Sequence, residues 1–201
     1  MKREFILVGT GGHATGMKEI LEDTGRRVVA SVDPNVRQNT WPDASSRQFG
    51  SDDDAMKFFH DSDKPFVAIG MGGMTPDVLS KRLEIVRKYI AAGFEAPPVI
   101  HRRACISPSA TLAPGVSVMA GAIVNAKAVI DIGAILNTGS IIEHDAAIGA
   151  GTHVAPGAVI LGNVSVGLCA MIGASSVVLP EQTVADHVLV PAQTRYPYRR
   201  R

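Results

Sequence analysis

Two histidines and one glycine-rich turn carry the clearest chemical signals in this chain. His144 stands in Asn137-Thr138-Gly139-Ser140-Ile141-Ile142-Glu143-His144-Asp145, directly between two carboxylates. A carboxylate beside an imidazole can fix its tautomer and stabilise the imidazolium. With an ordinary pKa of about 6.5, such a ring can take a proton near neutral pH. His144 is therefore a candidate general base, with Glu143 or Asp145 as its orienting partner. His153 follows nearby, and a bland outward-facing histidine is its alternative reading. Near the N-terminus, Gly9-x-Gly11-x-x-Ala14 lies between a strand-like run and a helix-like one. That context suits a phosphate or pyrophosphate at a helix N-terminus, where unpaired N–H groups face the ligand. Asp33 ends the next strand-like run and can accept hydrogen bonds from a ribose or a base N–H. Glycines at such a turn also occur merely to let a helix pack closely, so the motif alone leaves both readings open.

The elements that hold the histidines follow from a repeat. From Ile106 to Val190 every sixth residue is Leu, Ile or Val, fifteen positions of fifteen. About a third of this stretch is Leu, Ile or Val, so chance would give the series roughly once in ten million trials. Four residues after the aliphatic comes, in most hexads, a small residue, as at Ala110, Ala122, Ala128, Ala134 and Ser140. Glycine recurs three residues after it, as at Gly115, Gly121, Gly133 and Gly139. Hexapeptide repeats of this kind read as a parallel β-helix, with the aliphatic and small residues inward and glycine at a corner needing positive φ. Such coils take three hexads, or about 18 residues. His144 and His153 are then half a coil apart and sit on opposite sides of one solenoid. They can meet only across an interface between subunits. Gly162, one full coil beyond His144, stacks beside it and leaves it accessible.

The first hundred residues read differently. Strands are expected at Glu4–Val8, Arg27–Val32 and Pro65–Gly70. Helices are expected at Ala14–Asp23 and Asp77–Ala92, the second with Val78, Leu83, Val86 and Ile90 on its apolar face, and a short one at Ala55–Phe59. Residues 34–52, polar and containing Pro34, Pro42 and Gly50, read as a loop. The order of elements implies a small Rossmann-like α/β domain over 1–101, followed by an all-β solenoid over 102–201. It is half the size of a dinucleotide fold, which favours a mononucleotide-type ligand.

Composition bounds the rest. Hydrophobic residues make up 46% and aromatics only 5% of 201 residues, which suits a narrow aliphatic interior. A net charge of +1 gives no sign of nucleic-acid or membrane binding. Only Arg199, Arg200 and Arg201 are locally basic, as a solvated terminus would be. Cys105 and Cys169 form neither a disulfide framework nor a metal site. Phe5–Val8 is too short for a signal peptide or a membrane span, so a cytoplasmic location is expected.

Several motifs, in order across nearly the whole chain, resemble one family. They are Val8-Gly9-Thr10-Gly11-Gly12-His13, Val67-Ala68-Ile69-Gly70, Ile106-Ser107-Pro108-Ser109-Ala110, Val124-Asn125-Ala126-Lys127-Ala128, Leu136-Asn137-Thr138, Ile142-Glu143-His144-Asp145, His153-Val154-Ala155-Pro156-Gly157-Ala158 and Gly162-Asn163-Val164. The chain resembles the sialic acid O-acetyltransferase and nucleotide-4-amino-sugar N-acetyltransferase family of hexapeptide-repeat, left-handed β-helix enzymes. The resemblance implies a homotrimer with acetyl-CoA in the groove between neighbouring β-helices and no metal. It implies that Gly11, Gly12, His13, Asp33 and Gly70 hold a nucleotide-sugar. It also implies that His144 is the base, oriented by Glu143 or Asp145, and that His153, Gly162, Ala174 and Ala192 lie along the acetyl-CoA groove. The implied reaction is acetyl transfer to the 4-amino group of a nucleotide-linked deoxysugar, with a backbone N–H or His153 stabilising the oxyanion. O-acetylation of a sialic-acid-like sugar is the alternative. Met71-Gly72-Gly73-Met74 departs from the family pattern, where a polar Asn or Asp and soon an Arg are common. The next basic residues here are Lys81 and Arg82.

Overall fold

The computed structural model describes residues 4–35, 46–60 and 63–197; Pro42 and the terminal arginines lie outside them. The N-terminal part runs β1 (Glu4–Val8), α1 (Gly12–Asp23), β2 (Arg27–Val32), β3 (Arg47–Phe49), α2 (Asp52–Phe58), β4 (Phe66–Ile69) and α3 (Pro76–Ala91). The four strands form one parallel sheet in the order β3-β2-β1-β4. Phe5, Ile6 and Leu7 are completely buried because both faces of a parallel sheet are covered. β3 and the first residue of α2 fall inside the segment expected to be a loop, and α2 starts three residues before the expected Ala55–Phe59. Three edge residues leave too short a hydrophobic signature to read. Ser51 caps α2 through its side chain, which accepts from the Asp54 N–H.

Seventeen two-residue strands follow among the described residues, from β5 (Val99–Ile100) to β21 (Arg195–Tyr196), including β12 (Ile141–Ile142) and β14 (His153–Val154). They form three parallel sheets of five, six and six strands. Each strand pairs with the one a coil away: Ile141 with Ile123 and Val159, His153 with Ile135 and Met171. This is the left-handed parallel β-helix that the hexad period predicts. Sheet pairing begins at Val99–Ile100, opposite Ser117–Val118. From Val118 to Val190 every sixth residue is at most 4% exposed, so the coils share one aliphatic interior. The glycines at the corners, Gly115, Gly121, Gly133, Gly139, Gly151 and Gly157, all have positive φ. Elsewhere polar residues hold the same left-handed corner, Asp145 among them at φ 59. Asp and Asn tolerate that conformation better than most side chains.

The outward residues distinguish the faces. One sheet presents Ser117, Ile135, His153 and Met171, all buried beneath the N-terminal domain. A second presents Ile123, Ile141, Val159 and Val177, all partly exposed. Helix α3 packs on the first. Its buried stripe is Leu79, Arg82, Leu83, Val86 and Tyr89, rather than one including Val78, which is 37% exposed. Leu79 and Leu83 join Ala150, Ala155, Cys169 and Met171 in one apolar cluster across the junction. No described helix is long and apolar enough to cross a membrane. Cys105 is exposed and Cys169 buried, both as free thiols.

Candidate active site

A cavity of about 820 Å³ opens above the carboxyl ends of β1, β2 and β4, framed by residues 8–13, 32–35, 50–53 and 70–74. Parallel sheets present their loops for ligands at this edge. The glycines there divide by role. Gly9 has φ 95, and a Cβ on it would lie 3.0 Å from the Met71 nitrogen. A Cβ on Gly70 would fall 2.6 Å from the Ala14 Cβ, so Gly70 lets α1 pack against the sheet. At Gly11 and Gly12 a Cβ would meet nothing within 4 Å. These two are open to the cavity, and packing does not explain them. No side chain caps α1 and no acid stands in its first turn. The first N–H groups of the helix are left for an anion.

Asp33 braces this loop. Its Oδ2 accepts from the Thr10 N–H (2.9 Å) and hydroxyl (2.6 Å), and its Oδ1 from the Asn35 N–H (2.8 Å). Burial raises its pKa, but the hydrogen bonds from Thr10 and Asn35 outweigh that and hold it below the usual carboxylate range. Asp33 thus supports the glycine loop as well as lining the cavity.

A second cavity, a groove of about 520 Å³, runs along the corner of the β-helix past His153, Ala155, Ala174 and Ala192. It meets the first at His13 and residues 72–74, which line both. Gly173 keeps successive coils close, since a Cβ there would lie 2.4 Å from the Ala192 nitrogen. His153, Ala174 and Ala192 line this groove; Gly162 does not border it.

His153 points out of the solenoid but is only 7% exposed, because the loop after β4 covers it. Its Nδ1 donates to the Gly73 carbonyl (2.6 Å), so its Nε2 accepts from the Asn137 amide nitrogen (2.9 Å). The Asn137 Oδ1 accepts from the Thr138 N–H (2.8 Å), which fixes the amide in that orientation. Burial lowers the His153 pKa; the Gly73 carbonyl partly opposes this and the Arg82 charge adds to it. A neutral His153 whose one N–H goes to Gly73 has no donor left for an oxyanion, contrary to the role entertained for it from the sequence. Asn137, which the sequence offered only as part of a motif, has a second amide hydrogen beside the groove.

His13, in the first turn of α1, has its pKa lowered to about 3 by burial first, then by Arg82 and His153. It is uncharged at neutral pH. Its Nε2 is buried without a hydrogen-bond partner among the described residues.

His144 follows β12 at another corner of the prism and is largely exposed. Its Nδ1 donates to Asp145 Oδ2 at 2.9 Å, leaving Nε2 as the basic nitrogen. The left-handed backbone of Asp145 turns the carboxylate back onto the ring. Among the described residues Asp145, not Glu143, is the partner of His144. Gly162 lies against the imidazole: a Cβ there would sit 2.8 Å from both Cε1 and Nε2. It packs against His144, as the spacing of one coil predicts. His144 borders neither cavity of its own chain, so the fold brings His13 and His153 together and leaves His144 apart. No group of three or more described His, Cys, Asp or Glu residues is arranged to hold a metal ion.

Residues 4–74 match the PglD N-terminal domain family. Over the whole fold the chain is similar to PerB from Caulobacter crescentus, solved with CoA and GDP-perosamine. Identity is 32%, 96% of this chain and 87% of that one are covered, and the TM-score is 0.83. It is also similar to the acetyltransferase domain of PglB from Neisseria gonorrhoeae, solved with acetyl coenzyme A, at 27% identity, 96% and 89% coverage and a TM-score of 0.84. WeeI from Acinetobacter baumannii, at 16% identity, 95% and 94% coverage and a TM-score of 0.64, shares the fold. At 32% identity over nearly the whole of both chains, the similarity to PerB shows that the chain belongs to the hexapeptide-repeat acyltransferase family that includes the nucleotide-amino-sugar N-acetyltransferases.

Proposed function

We propose that this enzyme transfers the acetyl group of acetyl-CoA to the 4-amino group of a nucleotide-linked deoxysugar, with His144 as general base. The observation that carries the reading is the meeting of the glycine-loop cavity with the apolar groove at His13 and residues 72–74. A nucleotide-sugar held by its phosphates at Gly11 and Gly12 directs its sugar to this junction. A pantetheine arm lying along Ala155, Ala174 and Ala192 brings a thioester to the same point. The ligands of PerB and PglB, CoA with GDP-perosamine and acetyl coenzyme A, are of these two kinds.

The base comes from a second copy. His144 is exposed at the edge of the face formed by Ile123, Ile141, Val159 and Val177, a stripe of partly exposed aliphatic side chains. A neighbour covering that stripe brings His144 towards the neighbour's groove, and repetition around a threefold axis closes a homotrimer with three sites between subunits. The sugar amine attacks the thioester carbonyl, and His144 Nε2 accepts the proton that the new C–N bond displaces. Asp145 stabilises the resulting imidazolium. The proton then passes to the departing CoA sulfur, so acyl group and proton are both accounted for. Backbone N–H groups and the free hydrogen of the Asn137 amide are the donors available to the oxyanion.

Thiol release from acetyl-CoA, followed with UDP-, GDP- and dTDP-linked 4-amino sugars and with hydroxyl acceptors of the sialic-acid type, tests this. Acetylated amine is the expected product. Transfer to hydroxyl acceptors alone would replace N-acetylation by O-acetylation, and thiol release with no acceptor of either kind would sink the reading.

A further inference from the structure

Arg82 is the largest fully buried side chain, at 0% exposure, and none of its described partners is a carboxylate. Its Nε donates to the Met71 carbonyl (2.9 Å), one terminal nitrogen to the Gly133 carbonyl, and the other to the Ser117 hydroxyl at 3.4 Å. Met71 belongs to the segment between the two cavities, and Gly133 and Ser117 to the β-helix. Burying a cation without a counter-ion is expensive, and an apolar residue of similar volume is often as stable or more so. Packing alone does not explain an arginine here. The planar fork does, because it reaches three acceptors on three separate elements, as a lysine ammonium does not.

We propose that Arg82 is a positioning residue for the acetyl transfer, clamping the 71–73 segment onto the β-helix so that Gly73 holds His153 and the two cavities stay in register. This rests on the function proposed above. The chain of contacts is continuous: Gly133 and Ser117 to Arg82, Arg82 to Met71, then Gly73 to His153 and His153 to Asn137. The buried charge has a second effect. The titratable groups that interact with it are His13 from α1, His153 from β14 and the Cys169 thiol from a β-helix corner. Burial lowers the Arg82 pKa to about 10, so it stays charged at neutral pH and opposes protonation of both histidines. The junction then holds one fixed positive charge and two neutral imidazoles, which favours negative charge developing on the thioester oxygen.

The test uses the full chain with Arg82→Met and Arg82→Lys. The readouts are kcat, acetyl-CoA affinity, Tm and NMR titration of the histidine ring signals. In Arg82→Met, kcat should fall at least ~tenfold while acetyl-CoA affinity changes less than ~threefold. In the NMR titration His13 and His153 should protonate at higher pH than in the wild type, because the neighbouring charge is gone while burial still lowers both. Arg82→Lys keeps the charge but loses the fork, so the His13 and His153 titrations should return towards wild type while kcat stays low. A folded Arg82→Met enzyme with kcat within ~twofold and unmoved His13 and His153 titrations would overturn the proposal. If Arg82→Met does not fold, Arg82→Lys with unchanged kcat and unchanged His153 signals overturns it. A wild-type enzyme that acetylates no amino sugar would count against the function alone; histidine titrations that match in wild type and Arg82→Met would count against Arg82.

Discussion

His153 donates its Nδ1 hydrogen to the carbonyl of Gly73 at 2.6 Å, across the junction of the two domains. That bond requires the ring to stay neutral if Nε2 is also to accept from Asn137. His13 nearby is likewise held neutral, with its pKa lowered to about 3. In the unfolded chain both rings titrate near 6.5. Above that pH neither state binds the extra proton, and stability does not depend on these groups. Below it the unfolded state takes protons that the native state refuses, so stability falls as pH falls. For His13 the loss runs from about pH 6.5 down towards about 3, with a limiting slope of about 1.4 kcal/mol per pH unit. Urea denaturation at pH 7, 6, 5 and 4 measures it. His13→Asn should flatten the slope, and an equal slope in that variant would show that other groups cause it.

The His144–Asp145 pair predicts an ordering of variants. His144→Ala should lower kcat by about 10²–10⁴-fold, the range for losing a general base, with little change in acetyl-CoA affinity. Asp145→Asn keeps a residue suited to the left-handed corner but loses the charge facing Nδ1. Its kcat should fall more than that of Glu143→Gln, whose parent carboxylate makes no described bond to the ring. The reverse order in steady-state kinetics would assign the orienting role to Glu143, reached in the assembled oligomer.

Gly11 and Gly70 lie in the same cavity and should fail differently. A Cβ at Gly11 meets open space, so Gly11→Ala should melt close to the wild type yet bind a nucleotide-sugar more weakly. At Gly70 the added carbon strikes Ala14 at 2.6 Å, and prising α1 off the sheet should cost roughly 1–3 kcal/mol. Thermal melts with and without ligand separate the two effects. If Gly11→Ala melts like Gly70→Ala, packing is the function of both.

How much of this was legible in the sequence varies with distance along the chain. The interior of the β-helix and its glycine corners repeat every six residues, so local spacing alone marks Ile142 as inward and Gly139 as a corner. The stacking of Gly162 on His144 follows from one coil of 18 residues. The covering of His153 does not follow, because the carbonyl that covers it is 80 residues away in another domain. Arg82 is the sharpest case. In sequence it is one of several basic residues on an amphipathic helix. Its burial depends on Gly133, 51 residues on, and Ser117, 35 residues on, neither of which leaves a mark in the helix itself.

A shared site makes a prediction that no single-chain site can meet. One subunit carrying His144→Ala keeps its groove; another carrying Ala174→Trp keeps its base but has its groove filled. On the proposed threefold arrangement each alone gives an inactive homotrimer. In any cyclic trimer containing both, one interface of the three pairs an intact groove with an intact His144. With equal mixing and random assembly, about three quarters of the trimers are mixed. One good site in three then gives about a quarter of wild-type activity. Co-refolding the two variants in equal amounts and assaying thiol release from acetyl-CoA checks the figure. If base and groove belonged to the same chain, every subunit would carry a lesion in its own site, and the mixture would be as inactive as its parents.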